Sequence, residues 1–288
     1  MQYNSYQLAE IIGVNVSTIK RWTESGKLNC TKTVGGHRKF NLNDISNFLK
    51  KYKKNQSNLD LIKIVGKNNK LINSINSFDE IYLTKYCYKN LVKGKSDNFL
   101  ALNNALILKN TPLQNIFDKI LIPVLKKIGD NWEKGYLSIS EEHIATEIIK
   151  KFLANLNFQN LSNNSRYNAF CFTLINDKHD ISINMGEAVL NQNKKIKTFN
   201  LGPNLPVKDF IKLSKKVKID IIFVSLIFIE NKKIITKEIN LLLKEFLNVN
   251  TKIFLCGNKI NKINIKNNNF TKIDSFESFS KVINKHFR

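Results

Sequence analysis

Three hydrophobic patterns follow one another along the chain. Residues 1–55 hold short apolar stretches separated by glycines and polar turns, whereas residues 58–160 repeat Leu, Ile and Phe at spacings of three and four. Residues 166–288 alternate short apolar runs with helical patterns. Spacings of three and four are typical of amphipathic helices, and short apolar runs bounded by turn signals are typical of strands. We therefore predict three domains with these boundaries.

The first domain has the spacing of a helix-turn-helix. Ser5 is expected to cap a helix over 6–12, and Gly13 is expected to make the turn. Ser17 is then expected to cap a second helix over 18–25. Two short helices joined by a tight glycine turn are typical of proteins that place the second helix in the DNA major groove.

A basic hairpin is predicted directly after these two helices. Gly26 ends the second helix, and "KLNCTKTVGGHRKF" reads as two strands with Gly35 and Gly36 at the bend. Asn43 or Asp44 would cap a third helix that ends in "KKYKKN". Two helices followed by a basic hairpin predict a winged helix-turn-helix.

The second domain is predicted to be an all-α helical bundle of four or five helices. Its apolar-periodic stretches lie at 59–72, 78–92, 97–108, 112–130 and 139–156. Pro123 lies inside one of them and is expected to kink it, because proline lacks the N–H that a helix interior needs.

The third domain is predicted to be an α/β, Rossmann-like domain of the flavodoxin type. Its strand-like runs are "NAFCFTLI", "KIKTFNLG", "DIIFVSLIF" and "TKIFLCG", and its helical patterns lie at 183–192, 207–216, 235–247 and 275–287. Alternating strands and helices predict a parallel sheet with helices on both faces. Such sheets bind ligands beyond the carboxyl ends of their strands.

Two histidines are candidate metal ligands. Ser138-x-x-Glu141 is a capping box, which puts His143 in the first turn of a helix. A helix N-terminus disfavours a cationic imidazole, so we expect a neutral His143 with a lone pair for a metal. His179 follows the first strand of the sheet, and Asp177 would orient it by accepting its other N–H. With Trp132 near His143, these residues suggest a flat metal cofactor held between two domains.

Composition narrows the class of protein further. The net charge is +23, mostly from Lys, which modestly favours a nucleic-acid partner. The four cysteines are scattered without a CxxC pair, so we expect reduced thiols in the cytoplasm. The chain shows neither a signal-peptide pattern nor an apolar run of ~18 residues, so no membrane association is expected. No nucleophile–base pair or phosphate loop suggests an enzyme.

The segment "LAEIIGVNVSTIKRWTESGKL", followed by "GGHRKF", resembles the DNA-binding domain of the MerR family. The resemblance implies that the second helix enters the major groove and that the wing contacts phosphates. The residues that it places at DNA are, on the helix, Ser17, Thr18, Lys20 and Arg21 and, on the wing, His37, Arg38 and Lys39. The alternative is that Lys20 and Arg21 form only a solvated helix face, and Trp22 is expected to belong to the core.

The motif Trp132-x9-Glu142-His143 resembles the helical cap of light-sensing cobalamin proteins. Read alone, Trp132 is more often a core residue. Together with the MerR-type head, the whole chain resembles the CarH/LitR family of adenosylcobalamin-dependent photoreceptor repressors. The resemblance implies that Trp132 packs over the upper face of the cofactor and that Glu142 hydrogen-bonds the adenosyl group. His143 would ligate the cobalt after photolysis.

Asp177-x-His179, with Ser182 three residues later, resembles the DxHxxG signature of cobalamin-binding domains. By this resemblance His179 is the lower axial cobalt ligand, Asp177 tunes it, and Ser225 contacts the nucleotide tail. Ser182 replaces the expected glycine, and its side chain would narrow the approach of the backbone to the corrin. Cys256-Gly257 replaces a Gly-Gly pair, which predicts a tighter tail pocket. Read alone, His179 is a surface loop residue.

The resemblance implies a light-responsive regulator, a repressor by family, that binds double-stranded operator DNA as a homo-oligomer, dimer or tetramer. Photolysis of adenosylcobalamin would then switch both assembly and DNA binding. Two alternatives stay open. One is a corrinoid carrier protein of a methyltransferase system, and the other is a MerR-type regulator that has lost its dependence on the cofactor.

Overall fold

The computed structural model describes residues 2–52, 59–157, 165–247, 249–263, 265 and 269–287. By its internal contacts the chain divides into two compact units, Met1–Ile148 and Ile149–Arg288. Within the described ranges, no helix is both long enough and apolar enough to cross a membrane.

The first part of the chain is a winged helix-turn-helix, which we call the head (residues 2–52). Its helices are α1 (Ser5–Ile12), α2 (Val16–Glu24) and α3 (Leu42–Tyr52). Its strands are β1 (Gln2–Asn4), β2 (Thr31–Lys32) and β3 (Arg38–Asn41), paired antiparallel in the order β1-β3-β2. Gly13 has φ 71° and ends α1, as its position predicted.

The helix caps of the head differ from those predicted. Asn4 caps α1 in place of Ser5, and it forms a reciprocal capping box with Gln7. The reason is β1, which the sequence did not predict: pairing with β3 holds Asn4 extended, the conformation of an N-cap residue. Helix α2 begins at Val16 after Asn15, which makes no side-chain cap bond, so Ser17 lies inside the helix.

The third helix of the head also begins earlier than predicted. The Oδ1 atom of Asn41 accepts a hydrogen bond from the backbone N–H of Asp44 at 2.7 Å. The cap is therefore Asn41 at the end of β3, and neither Asn43 nor Asp44 serves as the cap. The second half of the predicted "KKYKKN" end, residues 53–55, lies outside the described residues.

The middle of the chain is helical, as predicted. Its helices are α4 (Ile62–Val65), α5 (Asn69–Ser77), α6 (Glu80–Leu91), α7 (Ser96–Leu108), α8 (Leu113–Ile116), α9 (Ile122–Glu133) and α10 (Ile139–Asn157). The single helix predicted over 59–72 is two helices, because Gly66 adopts φ 75° and breaks it. A π-helical turn, Phe117–Leu121, joins α8 to α9. It lies just ahead of Pro123, and a regular helix through this proline would lack one backbone hydrogen-bond donor.

The last part of the chain is a parallel five-stranded sheet with helices. Its strands are β4 (Tyr167–Leu174), β5 (Ile196–Leu205), β6 (Ile221–Ser225), β7 (Lys252–Cys256) and β8 (Thr271–Ile273). Its helices are α11 (Ile181–Leu190), α12 (Val207–Ser214), α13 (Lys232–Glu245) and α14 (Phe276–His286). The order β5-β4-β6-β7-β8 is the flavodoxin type, whose switch point lies between the first and third strands, here β4 and β6.

One glycine sets how closely α11 packs on the sheet. A Cβ atom on Gly186 would lie 2.4 Å from the ring of Phe223 in β6. Any side chain there would push α11 away from the switch point. Strand β8 was not predicted, because it is only three residues long and mostly exposed, so it carries little hydrophobic signal.

Candidate functional site

Asp177 joins two loops at the switch point of the sheet. It is fully buried and follows β4. Its Oδ2 atom accepts backbone hydrogen bonds from Ile227 at 2.7 Å and Phe228 at 3.1 Å, both in the loop after β6. Its Oδ1 atom accepts the backbone N–H of His179 at 3.1 Å and lies 2.8 Å from Nδ1 of the same residue. The carboxylate therefore holds both loops and the imidazole together.

Because the buried carboxylate can only accept, Nδ1 of His179 is the donor of this pair. The opposite nitrogen, Nε2, is then the one whose lone pair can ligate a metal. The His179 side chain is 57% exposed. Asp180, the next residue, forms an ion pair with Lys150 at 3.1 Å. The imidazole is therefore oriented by a carboxylate, an arrangement in which a histidine can ligate a metal.

A set of polar contacts that the sequence did not reveal supports this loop. Thr173 donates its hydroxyl hydrogen to the carbonyl of Asp177. The backbone N–H of Asn204 donates to Oγ1 of Thr173 at 2.9 Å. Asn176 and Asn204 have φ values of 66° and 62°. Asparagine tolerates this left-handed region better than most residues do, which is the one signal that the sequence carried.

Ser182, Ser225 and Gly257 lie at the same edge of the sheet. The hydroxyl of Ser182, in α11, is hydrogen-bonded to the hydroxyl of Ser225, which is fully buried at the end of β6. Burial raises the pKa of the neighbouring Cys256 thiol to about 12, although a hydrogen bond with Ser225 lowers it. Gly257 has φ 107°, and a Cβ there would lie 2.2 Å from the Leu226 carbonyl oxygen. The structure thus places all three predicted residues beside the Asp177 loop.

Trp132 lies in the last turn of α9 and is 49% exposed, so it is not a core residue. The turn after it is fixed by Asn131, whose carbonyl accepts backbone hydrogen bonds from Tyr136 at 2.8 Å and Leu137 at 3.2 Å. The Asn131 side chain donates to the hydroxyl of Tyr88 at 2.6 Å. Asn131 and Tyr88 were missed from the sequence, because neither belongs to a recognisable motif.

Glu142 and His143 lie in the first turn of α10. The predicted capping box is confirmed: Ser138 N–H donates to Glu141 at 2.9 Å, and Glu141 N–H donates to Ser138 at 3.2 Å. The Glu141 carboxylate accepts from the backbone N–H and also from the hydroxyl of Ser138, and these two bonds lower the pKa of Glu141. Nδ1 of His143 lies 2.6 Å from a carboxylate oxygen of Glu142, and the imidazole is 70% exposed. This is a second histidine oriented by a carboxylate.

Neither histidine belongs to a cluster of protein metal ligands. Among the residues that the structure describes, no group of three or more His, Cys, Asp or Glu side chains could hold a metal ion. A metal bound through one imidazole must bring most of its other ligands with it. The donor set therefore fits a macrocyclic metal cofactor, such as a corrin, better than a bare metal ion.

The predicted DNA-binding residues lie on α2 and on the wing. Ser17, Lys20 and Arg21 are exposed on α2, and Thr18 is partly exposed. Ile19 is fully buried between them and anchors the helix. Trp22 packs against Phe48 with ring centroids 4.7 Å apart, which confirms its assignment to the core.

On the wing, His37 is exposed and Lys39 is partly exposed. Arg38 differs from both: its guanidinium lies 3.2 Å from a carboxylate oxygen of Glu24 in α2, and its side chain is 20% exposed. The structure therefore ties Arg38 to the second helix of the head. Sequence pattern could not show this, because the contact depends on how the hairpin folds back.

Two family models match the chain. A helix-turn-helix domain matches residues 3–53, and a B12 binding domain matches residues 85–157. The "HTH-type transcriptional repressor CarH" of Myxococcus xanthus is 25% identical over 104 residues, which are 36% of this chain and 34% of that protein. The chain is therefore similar to a helix-turn-helix repressor and carries matches to a DNA-binding and a B12 binding domain. The match spans about a third of the relative's length.

The fold also has a counterpart among solved structures. The monomethylamine corrinoid protein of Methanosarcina barkeri superposes with a TM-score of 0.56 and 15% sequence identity. The superposition covers 71% of this chain and 98% of that one. At this identity the likeness concerns the fold alone, and it agrees with a helical region followed by a Rossmann-like sheet.

Proposed function

We propose that the protein is a transcriptional regulator that binds adenosylcobalamin and is switched by light, acting as a repressor. The observation that carries the proposal is the Asp177–His179 pair at the switch point of the sheet. A single, carboxylate-backed imidazole at the place where such sheets bind ligands is what a corrin-bound metal requires of a protein. The B12 binding domain match and the CarH likeness support the same cofactor.

In this proposal each residue has its own task. His179 would hold the cobalt through Nε2, and Asp177 would keep its ring oriented by accepting the Nδ1 hydrogen. Trp132 would pack on the cofactor with its exposed ring, and Glu142 would hydrogen-bond the adenosyl group. Adenosylcobalamin would supply the light-sensitive chemistry, and His143 would hold the cobalt in the illuminated state.

Ser182, Ser225 and Gly257 would hold the remainder of the cofactor. The Ser182–Ser225 hydrogen bond must then be exchanged for bonds to the cofactor, because Ser225 is buried in the protein alone. Gly257 permits the close approach of two backbone segments at that edge. These three residues decide affinity, whereas His179 decides the spectrum of the bound cobalt.

The head would bind double-stranded operator DNA. Ser17, Thr18, Lys20 and Arg21 face the major groove, and His37 and Lys39 contact phosphates. Arg38 contributes by holding the wing against α2 as well as by its charge. Assembly into a dimer or tetramer in the dark would present several heads to one operator, and the resulting avidity would be lost when light breaks the assembly. A regulator of this kind acts in the cytoplasm and is not an enzyme.

A second candidate is a corrinoid carrier for a methyltransferase, favoured by the fold of the Methanosarcina barkeri protein. The head argues against it, because a carrier needs no DNA-binding domain. A third candidate is a regulator that has lost the cofactor, for which the closed Ser182–Ser225 contact is the motivating observation. Methyl transfer with a purified methyltransferase would favour the second candidate, and operator binding indifferent to cobalamin would favour the third.

The proposal is tested by the visible spectrum of the protein after mixing with adenosylcobalamin in the dark and removing free cofactor. We expect a bound corrin with the spectrum of a histidine-ligated cobalt. The variant His179→Ala should lose that spectrum or the cofactor. The matched control is His286→Ala, since His286 is an exposed histidine of α14 in the same unit. If His179→Ala keeps the spectrum and affinity, the assignment of the lower ligand is wrong.

A further inference from the structure

The hydrophobic core of the head is shared with the helices that follow it. Leu108, the last residue of α7, is fully buried in the same cluster as Leu8, Ile45 and other head residues. Leu59 and Ile64 also pack against this cluster. A domain that is joined to its neighbour only by a linker completes its hydrophobic core with its own residues. These contacts therefore indicate that the head is docked on the helices that follow it.

Polar contacts reinforce the shared core. Asn104 of α7 donates a hydrogen bond to the hydroxyl of Tyr3 at 3.2 Å, and both residues are buried. Burial raises the pKa of Tyr3, and the bond from Asn104 lowers it. The hydroxyl of Ser46 in α3 donates to the carbonyl of Ile107 at 3.4 Å. Buried groups of this kind lose their partners when the two surfaces separate.

Two further contacts come from α4 and the residues just before it. The backbone N–H of Asp60 donates to the carbonyl of Ile11, the penultimate residue of α1, at 2.9 Å. Lys63 in α4 forms an ion pair with Glu10 in α1 at 2.9 Å, which raises the pKa of Lys63. The ion pair is exposed and adds little by itself, so the buried contacts carry the docking.

We propose that the head is docked on a surface formed by α4 and the last turn of α7, and that this docking fixes where α2 is presented to DNA. Helix α7 also packs on α6, and α6 packs on α9, whose last turn holds Trp132. The docked head is thus packed continuously with the helix that carries Trp132. The part of this inference that concerns DNA rests on the proposed function, whereas the docking itself does not.

The test is to insert a protease recognition sequence between residues 55 and 56 of the full chain. After cleavage without denaturant, we expect the two fragments to co-elute in gel filtration at the mass of the uncut chain. Elution of the head as a separate small fragment would overturn the docking. The measurement needs no cofactor and no DNA, so it does not depend on the proposed function.

A matched pair of variants locates the surface. Leu108→Lys places a charge in the shared core, whereas Ile81→Lys makes the same change at an 85% exposed position of α6. We expect the cleaved Leu108→Lys protein to release the head and the cleaved Ile81→Lys protein to keep it. If Leu108→Lys loses helix content, the variant Asn104→Ala is used in its place. We expect the amides of α3 to exchange faster in uncut Asn104→Ala than in the uncut parent protein. Unchanged exchange in α3 with the head still bound would contradict the proposed surface.

Discussion

Removal of the Asp177 carboxylate should destabilise the sheet unit even without any cofactor. The side chain is fully buried and accepts backbone hydrogen bonds from Ile227 and Phe228 in a second loop. Hydrogen bonds to a charged group contribute about 1.5–3 kcal/mol each, and an orphaned buried N–H costs about 1–3 kcal/mol. Because these terms overlap, we expect Asp177→Ala to lower the free energy of unfolding by about 3–5 kcal/mol.

Two control variants separate this structural role from the role in ligand binding. His179→Ala removes a 57% exposed side chain and should cost less than about 1 kcal/mol in the protein alone. Asp274→Ala removes an aspartate whose side chain is 75% exposed in the same unit, and its effect should stay within about 0.5 kcal/mol. The expected difference in stability thus comes from the burial of Asp177 and from the backbone hydrogen bonds that it accepts.

The assay combines urea unfolding with site-resolved amide hydrogen exchange. Exchange is needed because the chain has two compact units and need not unfold in one step. The amides of Ile227 and Phe228 should lose protection in Asp177→Ala and keep it in His179→Ala. If Asp177→Ala is as stable as Asp274→Ala and protects both amides, the carboxylate does not join the two loops and the reasoning fails.

Three other predictions concern packing, thiols and pH. Gly186→Ala should lower the melting temperature, because its Cβ would meet the Phe223 ring at 2.4 Å, whereas Gly129→Ala, which meets nothing within 4 Å, should not. Iodoacetamide should alkylate only Cys30 in the native chain, because the other three cysteines are buried. Mass spectrometry of the native and the denatured protein would count the alkylated thiols. Alkylation of more than one thiol in the native protein would contradict the prediction. Burial raises the pKa of Tyr3 above 10.0, so the folded state holds this proton more tightly, and stability should fall as the pH rises past about 10. Tyr3→Phe should reduce that fall in urea titrations, and an equal fall in both proteins would refute the assignment.

Local signals predicted the elements of the fold and much of the candidate site. The turn at Gly13, the Ser138–Glu141 capping box and the strand-end position of His179 each follow from a few neighbouring residues, and the structure confirms them. The pairing of Asp177 with His179 was likewise predicted from their spacing of two residues.

Features that depend on distant contacts were not predictable in the same way. Asn4 caps α1 only because β1 pairs with β3, and β1 is too short to give a recognisable strand pattern in the sequence. The contact of Arg38 with Glu24 requires the wing to fold back on α2. Leu108 reads as one more apolar residue of α7, and nothing in its own helix shows that it belongs to the core of the head. In each case the partner lies far along the chain.

Control of DNA binding by the cofactor is the central claim, and one measurement tests it most directly. Operator binding and gel-filtration mass would be recorded for the protein loaded with adenosylcobalamin, first in the dark and then after green light. We predict a larger mass and tight operator binding in the dark, and loss of both after illumination. A mass and an affinity that stay the same with or without cofactor and light would contradict the account.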